Sequence, residues 1–248
     1  MKILITGVGD AYTARHFGSS ALIEARDGYV LIDCPDPIHR VLREATEAAG
    51  WNVPATQIND IIITHLPGDH CNGLESFGFR RRFITDRDPD VPRPRIHTTP
   101  PVADLLWQRL SPAMGIRWGN DRPMQLKDYF DVHLIDPDHE AHIAGLIVRC
   151  RYTKHPVPTV GLLLNDGGAI LGWSGDTPFE QAHIQWLDQA RLIVHESNLG
   201  DAHTPIESLN ALPDAMRTRI RLIHLPDDFD ERTTDMRPLR PGEVLELS

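Results

Sequence analysis

Two histidines and an aspartate lie within six residues of the segment THLPGDH, which spans residues 64–70 and follows the apolar run at 61–63. Imidazole and carboxylate groups are ligands for Zn(II), Mn(II) and Fe(II), and one aspartate can bridge two ions with its two oxygens. Pro67 occupies the position where a third histidine would fit the spacing. The segment therefore predicts a metal site that lacks one ligand.

Three further apolar runs also end in residues that could do chemistry. They end at Asp176, at His195-Glu196 and at His224. The carboxyl ends of strands in an α/β sheet project into one crevice, so we expect these groups to meet His65 at one site. A single histidine at a strand end is more often an ordinary hydrogen-bonded group, but four such ends favour a shared site.

The elements that must position these residues begin with a hairpin. Residues 19–33 predict two strands around an Asp27-Gly28 turn, which disfavours the dinucleotide-binding alternative suggested by the opening MKILITGVGD, because that unit needs a helix there. Asp36-Pro37 and Gly50 predict the start and end of a helix. Residues 60–63 predict the buried strand that leads into THLPGDH.

The rest of the chain continues the α/β pattern. Residues 80–95, rich in charge and proline, predict a loop, and the segments beginning at Thr177 and Thr204 match the capping-box pattern of a helix start. A helix is expected at 101–110, with strands near 130–135, 146–153, 160–165, 169–173 and 190–194.

Composition limits the classes of protein. The 248 residues are 41% hydrophobic and carry a net charge of −10, which fits one domain, 1–248, and disfavours a long nucleic acid as partner. Three cysteines at unrelated spacings argue against a disulfide framework. The start MKILITG has no long apolar region, and no run of 18 apolar residues appears anywhere, so we expect a cytoplasmic protein that does not bind membranes.

The ordered motifs resemble the metallo-β-lactamase-fold hydrolase superfamily. THLPGDH, then KHPVPTVG, WSGDTPF and LIHLP follow the order of its metal-binding motifs. HESNL and AHTPIES resemble the HEAT and HST motifs of the ribonuclease Z and cyclic-phosphodiesterase branch, although HESNL departs from HEATF after two residues. The resemblance implies an α/β fold, a four-layer αββα sandwich of two mixed β-sheets flanked by helices.

The resemblance also implies roles for individual residues. His65 and His155 would bind the first metal, and Asp176 would bridge both metals. The second metal would take Asp69, His70 and His224, and Asp69 would also orient the attacking water. Glu196 and His203 would form a proton-relay pair beside them.

Pro67 departs from the family, which has a ligating histidine at this position. Three protein ligands plus water still form a catalytic zinc site, so we expect one or two divalent ions, zinc first and manganese or iron as alternatives, with a weak first site. A single ion at the second site and a site without metal stay open. His16 and His97 are alternatives for the missing ligand, although an ordinary structural role is expected for both.

The resemblance implies a metal-dependent hydrolase that uses a metal-activated water. Only residues 156–175 separate His155 from Asp176, which leaves no room for the tRNA-gripping arm of ribonuclease Z. We therefore expect a small phosphodiester as substrate: a cyclic nucleotide, a cyclic phosphate or a short oligonucleotide end. A lactone or thioester hydrolase, and a metal-binding or ligand-sensing protein without catalysis, are the alternatives.

Contacts outside the metal site are weaker expectations. Arg80, Arg81 and Arg82 could bind a phosphate through bidentate contacts, but a solvated loop is an equal alternative. Trp51, Trp118 and Trp173 could stack on a base, with core packing as the default. Related enzymes are commonly dimers, so a homodimer is retained as an alternative.

Overall fold

Two β-sheets of seven strands each run through the described part of the computed structural model, residues 1–117, 119 and 122–247. The strands are β1 (Lys2–Gly7), β2 (Ser20–Ala25), β3 (Gly28–Ile32), β4 (Ile58–Ile62), β5 (Arg95–Thr98), β6 (Asp131–Leu134), β7 (Ala141–Ile143), β8 (Leu146–Tyr152), β9 (Val160–Asn165), β10 (Ile170–Trp173), β11 (Leu192–Glu196), β12 (Ile220–Ile223), β13 (Arg237–Pro238) and β14 (Val244–Glu246). The helices are α1 (Ile38–Ala49), α2 (Gly68–Cys71), α3 (Gly73–Thr85), α4 (Pro100–Met114), α5 (Gln181–Leu187), α6 (Ile206–Asn210) and α7 (Asp214–Arg217).

Each sheet is half antiparallel and half parallel. The first has the order β14-β1-β2-β3-β4-β5-β6, and the second has the order β13-β12-β11-β10-β9-β8-β7. In the first sheet the pairs from β3 to β6 are parallel, and in the second the pairs from β10 to β13 are parallel. The expectation that strand ends meet in one crevice, here called the crevice rule, applies to these parallel halves, because hairpins do not join the carboxyl ends of their strands.

Three layers of apolar side chains hold the elements together. One core lies between the sheets and joins residues such as Ile5 and Ile23 of the first to Leu162 and Val194 of the second. A second core packs the first sheet against α1, α3 and α4, and a third packs the second sheet against α5, α6 and α7. Helix, sheet, sheet and helix thus follow one another, which confirms the predicted four-layer sandwich of two mixed sheets.

Much of the predicted local structure is confirmed. The hairpin forms as β2 and β3, and Gly50 ends α1 in the left-handed conformation, with φ 67°. The amphipathic pattern of this helix buries Ile38, Val41 and Leu42 against the first sheet. The strands predicted near 160–165 and 169–173 form as β9 and β10, with a connection around Gly167.

Two local predictions are wrong, each for a physical reason. Residues 80–85 continue α3, because Arg81 is fully buried and its guanidinium ties the helix to the segments around Ala55 and Pro92. The Thr177 motif does not start a helix either, since α5 begins at Gln181. At the other motif α6 does begin close by, but Thr204 donates its hydroxyl to the carbonyl of Thr177 instead of capping the helix.

Other sequence-based expectations concern single residues. The cysteines Cys34, Cys71 and Cys150 are free and buried. Trp173 is buried in the core between the sheets, whereas Trp118 lies outside the described residues. Across the described ranges, no helix combines the length and the apolar character needed to cross a membrane.

Candidate metal centre

The predicted ligands come from both sheets and meet at one edge of the sandwich. His65, Asp69 and His70 follow β4 of the first sheet. His155, Asp176 and His224 follow β8, β10 and β12 of the second sheet. Five of the six side chains lie at the carboxyl ends of strands in the parallel halves, as predicted for such strands. His155 follows β8 of the antiparallel half and joins them there.

The six side chains form two overlapping groups of potential ligands. In one group, His65, His155 and Asp176 offer ligand atoms within 4.8 Å of one another. In the other group, Asp69, His70 and His224 meet the same criterion. Asp176 also joins the groups, because its Oδ2 lies 3.4 Å from His65 Nε2 and 3.4 Å from His224 Nε2. This geometry suits a carboxylate shared by two ions.

Five histidines around this point have Nδ1 next to a protein group, which is an oxygen acceptor for four of them and a side-chain amide donor for His224. The five partners are Thr64 Oγ1 for His65, Asp33 Oδ2 for His70, the Ala202 carbonyl for His155, Glu196 Oε1 for His203 and Asn198 Nδ2 for His224. Because a protein group contacts Nδ1 on one side of each ring, the ring is fixed with Nε2 pointing to the opposite side. Metal-binding histidines in proteins are fixed by contacts between this nitrogen and an oxygen acceptor, as in the four rings other than His224.

Asp33 contacts the predicted ligand His70, and the sequence interpretation did not include it. Its buried carboxylate accepts hydrogen bonds from His70 Nδ1 at 2.8 Å and from the backbone N–H and hydroxyl of Thr64. Asp33 also has φ 58°, a left-handed conformation that is unusual for a residue other than glycine. It follows β3 directly, so the strand-end rule applied to the other four runs could have found it.

The unpaired nitrogen atoms fit a metal. His65 Nε2 and His70 Nε2 are buried and have no hydrogen-bond partner. His70 Nε2 nevertheless lies 3.2 Å from Asp69 Oδ2 and 3.5 Å from Asp176 Oδ2. Buried polar atoms are rarely left unpaired, so atoms that converge without bonding to one another are well placed to ligate an ion. The residues present therefore fit a divalent metal.

The electrostatic field of the centre attracts positive charge. Burial raises the pKa of Asp176, but the positive charges of His224 and His70 have the larger effect. They hold the pKa of Asp176 well below its usual value. Burial likewise favours neutral His224, but the charge of Asp176 and the hydrogen bond to Asp69 raise the pKa of His224 to about 9. Burial lowers the pKa of His155 to about 4, which keeps that ring neutral and able to ligate.

Pro67 begins α2 instead of supplying a ligand. Its carbonyl accepts hydrogen bonds from the backbone N–H groups of His70 and Cys71 at 3.0 and 3.2 Å, so it fixes the turn that carries Asp69 and His70. Neither His16 nor His97 belongs to a metal-ligand group in the described part of the chain.

Glu196 and His203 form a pair beside the ligands. Glu196 Oε1 accepts a hydrogen bond from the backbone N–H of Thr177 at 2.8 Å and lies 3.1 Å from His203 Nδ1. Burial favours neutral His203, but the hydrogen bond and the charge of Glu196 raise the pKa of the ring. His203 also shares a potential ligand group with Asp176 and His224, so its Nε2 side faces the centre.

Other predicted residues lie apart from the centre. Arg81 cannot bind substrate as predicted, because its buried guanidinium donates to Ala55 O, Ile58 O, Asn59 Oδ1 and Pro92 O. Arg82 donates to the Asp128 carbonyl, and exposed Arg80 lines a separate cavity beside Trp51. A role for Arg80 in substrate binding stays a prediction. His195 is buried and lies against the Glu196 carbonyl.

A protein-family model described as anti-Pycsar protein Apyc1 matches residues 1–241. Relatives with the same name occur in Saccharibacillus brassicae (30% identical, covering 98% of this chain and 99% of the relative) and in Paenibacillus sp. strain J14 (29%, covering 100% and 99%). A further one occurs in Bacillus phage vB_BsuM-Goe3 (25%, covering 99% and 98%).

Solved structures share the fold at low identity. The metallo-β-lactamase fold protein YhfI from Bacillus subtilis has a TM-score of 0.79 and is 17% identical, covering 98% of each chain. The short form of human tRNase Z has a TM-score of 0.70 at 19%, covering 100% of each chain. Zn(2+)-bound PqqB from Methylobacterium extorquens has a TM-score of 0.73 at 14%, also covering 100% of each chain. The fold is that of the metallo-β-lactamase superfamily.

Proposed function

Because the chain belongs to the anti-Pycsar Apyc1 family, we propose that it is a metal-dependent phosphodiesterase for a small phosphodiester. The substrate class includes cyclic nucleotides, cyclic phosphates and short oligonucleotide ends. The name of the relatives describes an action against Pycsar, and we extend that role to this chain. A homodimer, a cytoplasmic location and a single domain over residues 1–248 belong to the same proposal.

One observation in the site, taken together with the family, supports a phosphodiester. His203 is hydrogen-bonded to buried Glu196 and turned towards the side chains of Asp176 and His224. Hydrolysis of a phosphodiester expels an alkoxide, which needs a proton as the bond to phosphorus breaks. A histidine with a raised pKa, oriented by a carboxylate, is a suitable donor of that proton.

In this proposal the residues have separate roles in metal binding, water orientation and proton donation. His65, His155 and Asp176 would hold a first divalent ion, and Asp69, His70 and His224 a second, with Asp176 shared. Bound ions supply Lewis acidity, which lowers the pKa of water and neutralises charge on phosphate oxygens. Asp69 accepts a hydrogen bond from the attacking water and orients it towards phosphorus. As the new P–O bond forms, the attacking water passes a proton to the Asp69 carboxylate, the bond to the leaving oxygen breaks, and His203 Nε2 donates its own proton to that oxygen.

The small size of the expected substrate has support in the chain between the ligands. Residues 156–175 are occupied by β9, β10 and their connection, so a tRNA-gripping arm has no place there. The net charge of −10 also disfavours a long polyanion.

The test combines metal content with turnover. Protein reconstituted with Zn(II), Mn(II) or Fe(II) is assayed on cyclic mononucleotides, on bis(p-nitrophenyl) phosphate and on a lactone. We expect turnover of the phosphodiesters and loss of both bound metal and turnover in Asp176→Ala. Asp104→Ala, an exposed aspartate on α4, is the matched control and should keep both.

Two results would contradict the proposal. Faster turnover of the lactone than of any phosphodiester would favour the lactone hydrolase of the same fold. Bound metal without turnover of any substrate would favour a ligand-sensing protein.

A further inference from the structure

A guanidinium from α4 contacts the turn that carries two of the predicted ligands. Arg109 Nε donates a hydrogen bond to Cys71 Sγ at 3.0 Å, and its Nη2 donates to Asn72 Oδ1 at 2.6 Å. We propose that Arg109 is a positioning residue for the metal centre, which fixes α2 and thereby the ligand atoms of Asp69 and His70. This inference rests on the proposed function, because it concerns the second ion of that scheme.

The turn needs support from the rest of the molecule, because α2 has only four residues, Gly68–Cys71. A single helical turn is not stable by itself, since it fixes several backbone dihedral angles for few hydrogen bonds. Within the described residues, no side chain caps the start of α2, which follows Pro67. Contacts with other elements must therefore hold the turn in place.

Cys71 is the first point of support. Its side chain is fully buried, and its S–H donates to the Leu66 carbonyl at 3.0 Å while its sulfur accepts the hydrogen bond from Arg109. Cys71 directly follows His70, and Leu66 directly follows His65. The thiol thus joins the start and the end of the ligand-bearing segment, and Arg109 holds the thiol from α4.

Asn72 is the second point of support. Its backbone N–H closes the last turn of α2 by donating to the Gly68 carbonyl at 3.1 Å, while its side chain accepts the hydrogen bond from Arg109. The guanidinium also lies over the start of the turn, because a Cβ at Gly68 would be 3.5 Å from Arg109 Nη2. Arginine suits this position because its donors form a rigid fork that can serve two acceptors at once.

Arg109 complements the contact made by Asp33. Asp33 accepts a hydrogen bond from His70 Nδ1 at 2.8 Å and fixes the ring. Arg109 contacts the two residues that follow His70 and fixes the backbone that carries the ring. Loss of Arg109 should therefore loosen Asp69 and His70 together, without changing any ligand.

The first experiment measures metal affinity. Arg109 is exposed, so Arg109→Ala should fold, and we expect its affinity for the second ion to fall about 10-fold, because contacts outside the ligands have effects of that size. Arg93→Ala is the matched control: it removes two guanidinium contacts with Asp131 at the amino end of β6 and should leave both affinities unchanged. Competition with a fluorescent zinc chelator gives the affinities, and equal values in the two variants would overturn the inference.

Variants of Cys71 show whether the effect passes through the thiol. Cys71→Ser keeps a donor and an acceptor and should keep most of the metal affinity, whereas Cys71→Ala should lose about as much as Arg109→Ala. The double variant Arg109→Ala/Cys71→Ala should lose less than the sum of the two single losses, because contacts in one network are not additive. Fully additive losses, or equal losses in Cys71→Ser and Cys71→Ala, would overturn the inference.

Cobalt(II) provides a readout that a loss of stability alone would not change. The visible absorption of bound Co(II) depends on the arrangement of its ligands, so the spectrum of saturated Arg109→Ala should differ from that of the saturated wild type, and that of Arg93→Ala should not. Identical spectra for all three proteins would overturn the inference alone, because metal would still be bound.

The same measurements separate this inference from the proposed function. Bound metal without turnover would overturn the proposed function alone, since every readout of the inference is metal binding. Absence of bound metal in the wild-type protein would overturn both.

Discussion

Pro67 offers no ligand atom to the proposed first metal site. Three side chains converge there, and the proline supplies none, but its carbonyl holds the turn of α2 that carries Asp69 and His70. The substitution therefore removes a donor without disturbing the second group of ligands. Unequal affinities for two ions are the expected result.

Replacing Pro67 with histidine should strengthen the first site. Pro67 has φ −56° and ψ 156°, values that any residue can adopt, so Pro67→His should fold. We expect the affinity for the first ion to rise by about 10- to 100-fold, since even an outer contact of a ligand has an effect of that size. A metal titration monitored by calorimetry measures this affinity.

Pro67→Ala is the control for that titration, because it removes the proline without adding a donor. Equal metal affinity in Pro67→His and Pro67→Ala would show that the side chain at position 67 does not reach the first ion.

Asp33 should matter to metal binding although it is not a ligand in the proposed scheme. Asp33→Asn would weaken the contact that fixes His70, and metal affinity should fall by about 10- to 100-fold. Asp60→Asn is the matched control, since Asp60 is a buried carboxylate that pairs with Arg95 and His97 away from the centre. Competition with a fluorescent zinc chelator gives both affinities, and an equal change in the two variants would contradict the role of Asp33.

The order of motifs along the chain predicts the candidate ligands, but it cannot reveal their supports. His65 and His224 belong to short patterns, whereas Asp33 and Asn198 contact the segments that carry them only after the strands have paired. Sequence patterns also do not predict that an arginine is buried. Arg81 has charged neighbours on both sides, and only the fold shows that its guanidinium serves four acceptors of the scaffold.

The turn after β10 depends on a single glycine. Gly175 has φ +60°, and a Cβ at this position would lie 2.4 Å from the Val160 carbonyl oxygen. The next residue is Asp176, so the turn sets the place of the shared carboxylate. Loops at strand ends carry the predicted ligands, and the strands that frame them fix the positions of these side chains.

Gly175→Ala should therefore damage both stability and metal binding. We expect the free energy of unfolding to fall by about 2–4 kcal/mol, from left-handed strain together with the close contact. Gly167→Ala is the matched control: Gly167 has φ +92°, but a Cβ at this position would meet no atom within 4 Å, so only the strain of about 1 kcal/mol should appear. Urea unfolding and metal analysis distinguish the two, and equal losses would contradict the steric argument.

Helix starts are harder to predict than strands in this chain. The patterns at Thr177 and Thr204 match capping boxes, yet the Thr204 hydroxyl bonds to the Thr177 carbonyl and ties one loop to the other. Local sequence cannot distinguish the two uses of a threonine, because the competing partner is 27 positions away in the chain. The strands are predictable because their burial follows directly from apolar runs.

Both sheets contribute side chains to the candidate metal centre. Three of the predicted ligands follow the first sheet and three follow the second. An ion bound by side chains from both sets would link the two sheets. A ligand that binds only the folded state stabilises that state.

Removal of metal should lower the melting temperature. At ion concentrations about 100 times Kd, binding contributes about 2.7 kcal/mol, which corresponds to a shift of about 5–10 °C for a chain of this size. Differential scanning calorimetry with and without a chelator measures the shift. The Asp176→Ala variant should show no shift, and a similar shift in that variant would mean that the chelator acts elsewhere.

Asp69 and His224 are 3.2 Å apart in space and 155 positions apart in the chain. Contacts of such long range form late in folding, because the entropy of closing the loop opposes them until neighbouring elements have docked. The centre therefore assembles only after both sheets have formed and met. During biosynthesis, metal insertion would follow the folding of the chain and could not nucleate it.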